Sequence, residues 1–155
     1  MQFPLVTKEA EADPQIWAKV RSAFAEALGL DEDEVAFDSR IIGDLDAESL
    51  DFLDVAFRLE RAFDIKIPRG GIEQAARDGV GDASYEVDGV LTDAALQGLA
   101  DALPEIPREE FAPGLKTVAV PELFRVATFY NLVVRLLNEK DLVSVASAAP
   151  IQAAT

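Results

Sequence analysis

The 155-residue chain contains no cysteine and no histidine. Without cysteine there are no disulfides, no thiolate metal sites and no thiol nucleophile on the protein, which argues against a small secreted scaffold. Without histidine, triads built on imidazole and the common zinc sites fall away. Basic residues are scarce: 14 Lys and Arg stand against 29 Asp and Glu, a net charge of −15. No segment supplies the Lys/Arg footprint that the phosphates of nucleic acid or an anionic membrane require, so basic protein surfaces are the natural complement. Nothing approaches the ~18 apolar residues of a membrane span. The opening MQFPLVTKEAEADP also carries acids and a proline where a signal peptide needs a basic start and an apolar run. The expectation is a cytoplasmic protein that neither inserts into a membrane nor binds nucleic acid.

What is present suffices for a folded core, since half the residues are hydrophobic and 28% are charged. Asp13 and Pro14 read as the cap and first turn of a helix, followed by Ile16, Val20, Phe24, Ala27 and Leu28 at helical spacing up to Gly29. Leu30 to Asp46 is an acidic loop with apolar anchors at Val35, Phe37, Ile41, Ile42 and Leu45. A second helix over Leu50 to Phe63 shows Phe52, Val55, Ala56, Leu59 and Phe63 on one broad face, and Pro68 closes the segment. A polar stretch with Gly70, Gly71, Gly79 and Gly81 follows. Asp88-Gly89 between short alternating runs signals a hairpin, and Thr92 caps a short helix with Leu96, Leu99, Ala100 and Leu103 on one face. A last helix is expected from near Pro121 through Leu137, with 144–155 as a disordered tail.

Chemistry concentrates in Asp44-Leu-Asp-Ala-Glu-Ser-Leu-Asp51, between the loop and the second helix. Ser49 stands at that helix's N-terminus, and its position supports two readings. In one its hydroxyl caps a free backbone N–H, among acids that suit the helix dipole. In the other it carries a phosphate ester, an anion welcomed by the same N–H groups and dipole. An EF-hand calcium loop begun at Asp44 fails its template, since Ser49 falls at the sixth position, where Gly is needed, and Val55 at the twelfth, where Glu is needed; unspecific cation screening by the acidic loop is the alternative. No metal site is expected.

The run from Asp44 through the second helix to Phe63-Asp-Ile-Lys-Ile-Pro68 resembles the centre of an acyl carrier protein. That family shows an Asp-Leu-Gly-x-Asp-Ser-Leu-Asp start, an amphipathic helix, an acid-Phe-Asp step and a closing Ile-Pro. The resemblance implies an all-α, four-helix carrier bundle with 4′-phosphopantetheine esterified to Ser49 by a separate phosphopantetheinyl transferase. It further implies an acyl chain held as a thioester on that arm, and acyl-loading and condensing enzymes with basic patches as partners. The carrier itself would not be an enzyme and has no catalytic residue; it would be a monomer in a specialised fatty-acid, lipid or polyketide-type pathway. Glu48, Leu50, Asp51, Asp54, Phe57, Arg58 and Arg61 are the implied partner-binding residues, with Phe57 alternatively in the core. Arg58 and Arg61 either narrow the partner set or pair with neighbouring acids.

Three departures stand out. Glu48 replaces the usual Asp, Asp46 stands where Gly is usual, and residues 69–120 are far longer than the family's short third helix. The expected organisation is one domain over 1–143, its core at 14–68 and 121–140, with an insertion holding an extra short helix and a small hairpin. The alternative function is an unmodified carrier-fold interaction module. The charge is local: 31–54 holds ten of the 29 acids and a single base, Arg40, a net −9 that would steer basic enzymes to Ser49.

Overall fold

Helix α1, Pro14–Leu28, begins where Asp13 Oδ1 accepts from the N–H groups of Gln15 (2.9 Å) and Ile16 (3.1 Å), and ends at Gly29 in the left-handed conformation. This is the first element of a computed structural model that describes residues 3–67 and 84–154. The Pro68 stop and the four glycines of the polar stretch lie outside those residues. Helix α1 buries Ile16, Val20 and Phe24 as its spacing predicts, and also Trp17, whose ring meets Phe37 edge-on at 5.2 Å.

Helix α2, Ser49–Phe63, buries Val55 and Leu59 and lays Phe52 and Phe63 against the core. It stops at Asp64, a left-handed residue whose carbonyl and carboxylate both accept from Lys140 Nζ. Strands β1, Glu86–Val87, and β2, Val90–Leu91, pair antiparallel, with Glu86 opposite Leu91 and Val87 opposite Val90. Asp88 (φ 52°) and Gly89 (φ 80°) form the turn, the positive-φ pair that an Asp-Gly hairpin demands. Thr92 Oγ1 then accepts from the Ala95 N–H and starts α3, Asp93–Ala102, which buries Ala95, Leu96, Leu99 and Ala100. The architecture is therefore the expected helical one with a two-stranded hairpin.

Helix α4, Val126–Ala154, differs from expectation at both ends. It starts five residues beyond Pro121, which lies instead in a 3₁₀ segment, Thr117–Leu123. Residues 124–127 must first zip onto the acidic loop: Ile41 N–H donates to the Phe124 carbonyl, Val126 N–H to Ser39 and Ala127 N–H to Phe37. Only then does Thr128 Oγ1 accept from the Arg125 N–H and open the helix. At the other end the alanine-rich backbone is helical to Ala154, where the sequence reading expects disorder; alanine is the strongest helix former.

The interior of the fold runs along α4. Every residue from Phe124 to Val134 is buried, including Thr128 and Asn131. A helix buried on all sides needs cover beyond two neighbours. Beside α1 and α2, the described part of the segment between α2 and α4 contributes Leu99, Leu103, Ile106 and Phe111 to the same core. Phe129 stands edge-on to Phe24 (5.5 Å) and stacked with Phe52 (5.9 Å), joining the three helices through one aromatic row.

Candidate functional site

The loop before Ser49 has a fixed shape. Val35, Phe37, Ile41 and Ala47 are buried, while Ile42 and Leu45 are half-buried, so the predicted anchors hold the loop down and leave its acids outside. Within it, the Arg40 N–H donates to Asp44 Oδ2 (2.8 Å), and the Arg40 carbonyl accepts from the N–H groups of Asp44 (2.9 Å) and Leu45 (3.1 Å). Asp46 follows with φ 55°. That left-handed conformation explains why glycine suits the position; aspartate is among the few other residues that tolerate it.

Ser49 is the first residue of α2, and its side chain lies outside the described ones. The capping role expected of a serine here belongs to its neighbours. Glu48 is the N-cap, and Asp51 reaches back to accept from the Glu48 N–H at 2.8 Å. The reason is register: the helix starts one residue earlier than its apolar spacing suggests, so residue 49 sits inside the first turn. A phosphate ester fits this setting, since a helix N-terminus favours an anion and the helix needs no cap from residue 49.

The outer face of α2 is apolar in part. Leu50 is 77% exposed and Phe57 53% exposed, which removes Phe57 from the core. Leu53, also 53% exposed, completes the stripe and was not anticipated, although its i+3 spacing from Leu50 carries the signal. Asp51 and Asp54 flank this stripe. Arg58 is tied down: Nε donates to Asp54 Oδ1 (3.1 Å) and Nη1 to Glu26 Oε2 on α1 (3.0 Å), so its charge is spent joining two helices. Arg61 is exposed, and Glu60 is engaged by the Ile67 N–H at 2.8 Å. Among the described residues, no three or more Asp and Glu converge as a metal site, and no helix is long and apolar enough to cross a membrane.

Away from α2, a second polar cluster joins the segment between α2 and α4 to α4 itself. Glu105 Oε1 accepts from Asn131 Nδ2 at 2.8 Å, while its Oε2 is buried without a partner among the described residues. Burial pushes the Glu105 carboxyl above the usual range, against the opposing pull of Asn131 and of Arg135, whose own guanidinium donates to the Ala102 carbonyl. Nothing in the sequence marked this glutamate.

Comparison with known proteins agrees with the geometry at the head of α2. The family described as "Phosphopantetheine attachment site" matches residues 18–74. An acyl carrier protein of Borrelia garinii subsp. bavariensis is 50% identical over 54 residues, which cover 35% of this chain and 68% of the relative. The acyl carrier protein of Thermotoga maritima is 35% identical over 65 residues, covering 42% of this chain and 80% of the relative. That of Guillardia theta is 37% identical over 62 residues, 40% and 76% respectively. No solved structure matches the chain. The matched stretch runs from within α1 through the anchored acidic loop and α2, and it brings with it a covalently attached 4′-phosphopantetheine. With the loop, the capped helix and its relatives in agreement, this chain belongs to the acyl carrier protein family.

Proposed function

We propose that Ser49 is the attachment point of the phosphopantetheine arm and that the chain is a dedicated carrier for a specialised fatty-acid, lipid or polyketide-type pathway. The observation that supports the site best is its setting: Ser49 is the first residue of a helix capped by Glu48 and Asp51, at the end of a loop held down by four buried anchors. A tethered thioester raises the effective concentration of its cargo at each partner.

In this reading Leu50, Leu53 and Phe57 provide the apolar contact for partner enzymes, and Glu48, Asp51 and Asp54 the charge that guides them. Basic patches on the transferase and on acyl-loading and condensing enzymes are the complement. Arg58 belongs to the scaffold of that face, and exposed Arg61 limits which partners fit. The protein acts as a cytoplasmic monomer without catalysis of its own, and residues 69–120 form an elaboration of a single carrier domain.

The test is transfer from labelled coenzyme A by a phosphopantetheinyl transferase, followed by peptide mapping. The label is expected on the peptide containing Ser49, with an initial rate that falls as salt rises. Label on another residue would refute the site, and a salt-independent rate would refute the steering.

A further inference from the structure

Besides the backbone pairing of Phe124 and Arg125 with the loop before Ser49, the segment between α2 and α4 reaches that loop through the Glu110 carboxylate. Glu110, which ends the 3₁₀ turn Arg108–Glu110, divides its two oxygens between two arginines. Oε1 accepts from Arg40 Nη2 at 3.2 Å, and Oε2 accepts from Arg125 Nη2. The Arg125 side chain is only 7% exposed, and its Nη1 donates to the Leu123 carbonyl. Glu110 is thus fixed from the buried side and presents its other oxygen to Arg40. The Arg40 backbone, in turn, is bridged to Arg125 and is the hub of the turn that runs through Asp44 and Leu45. That turn closes where the Ala47 N–H donates to the Ile41 carbonyl, two residues before Ser49.

We propose that Glu110 is a positioning residue for the modification of Ser49: through Arg40 it braces the 40–47 turn, so that the transferase meets a loop already in shape. The inference rests on the Ser49 reading above. A braced loop loses less entropy when a partner docks on it. This gives the segment between α2 and α4 a part in recognition besides covering α4.

The experiment is steady-state modification of the full chain with coenzyme A and a purified transferase, comparing wild type, Arg40→Ala, Glu110→Gln and the double variant. Each single change is expected to raise KM about three- to tenfold, roughly 0.6–1.4 kcal/mol, with kcat little altered. The double variant should be no worse than the singles, because each removes the same brace. Asp13→Ala, which loses the α1 cap and bonds neither Arg40 nor Glu110, is the control: it lowers stability and leaves KM unchanged. An unchanged KM in Glu110→Gln overturns the proposal. So do additive effects in the double variant, which would mean that Arg40 touches the enzyme directly. If wild type takes no label, or Ser49→Ala does, the Ser49 reading fails and the brace with it; a labelled wild type beside an indifferent Glu110→Gln refutes the brace alone.

Discussion

Asn131 pairs with Val6 as a neighbouring strand would: its Oδ1 accepts from the Val6 N–H at 3.0 Å and its Nδ2 donates to the Val6 carbonyl at 2.9 Å. Two turns further along α4, Asn138 treats Phe3 the same way, at 2.8 and 2.9 Å. The N-terminal residues are therefore held as an extended strap along the last helix. Asn131 also donates to Glu105, so one buried amide joins the strap, α4 and the segment between α2 and α4.

Replacing Asn131 with Ala should be among the more damaging polar substitutions. It leaves the Val6 N–H and carbonyl without their amide partner, and buried unsatisfied groups cost about 1–3 kcal/mol each. We expect a loss of about 3 kcal/mol in denaturant unfolding, against about 1 kcal/mol for Asn138→Ala nearer the surface. Equal and small losses would show that the strap contributes little to stability.

The partly orphaned carboxyl of Glu105 makes stability depend on pH in a defined direction. Burial raises its folded pKa above the unfolded one, so between the two the folded state holds the proton more tightly. Its contribution is fully present below the unfolded value and is lost as pH rises through the folded one. Glu105→Gln keeps an uncharged acceptor for Asn131, so stability measured as wild type minus variant should fall with rising pH across that window. A pH-independent difference in unfolding midpoints would contradict the assignment.

Backbone conformation at Asp46 gives a third prediction. With φ at 55°, Asp46→Gly should stay within about 0.5 kcal/mol of wild type, whereas Asp46→Val should lose about 1–2 kcal/mol, as β-branched residues resist the left-handed region. Thermal unfolding of the two variants settles the order.

The two faces of α2 should separate stability from recognition. Leu59→Ala removes a fully buried side chain and is expected to cost about 2–5 kcal/mol. Phe57→Ala is expected to stay within about 0.5 kcal/mol in unfolding, because the ring is exposed, while weakening binding to a partner enzyme. A large stability loss at Phe57 would return it to the core.

Much of this was legible in the residues. Asp13, Gly29, Thr92 and Asp88-Gly89 act locally, through caps and turns that depend on one or two side chains, and each does what its type dictates. The start of α4 was not legible, because it depends on residues 124–127 pairing with residues 37–41 far along the chain. Long-range polar ties have no periodic signature either, so Glu105, Glu110 and Asn131 passed as ordinary surface or helix residues. One signal was available: Val126 to Val134 is apolar nearly all round, which calls for cover on every side.

Attachment of the phosphopantetheine at Ser49 would change the mass of the chain at one residue. Intact mass spectrometry of wild type and Ser49→Ala, each coexpressed with a phosphopantetheinyl transferase, tests it most directly. Wild type is expected to gain the mass of one phosphopantetheine group, and Ser49→Ala, still folded, to gain none. A wild type without added mass, or a Ser49→Ala chain that acquires it, would contradict that attachment.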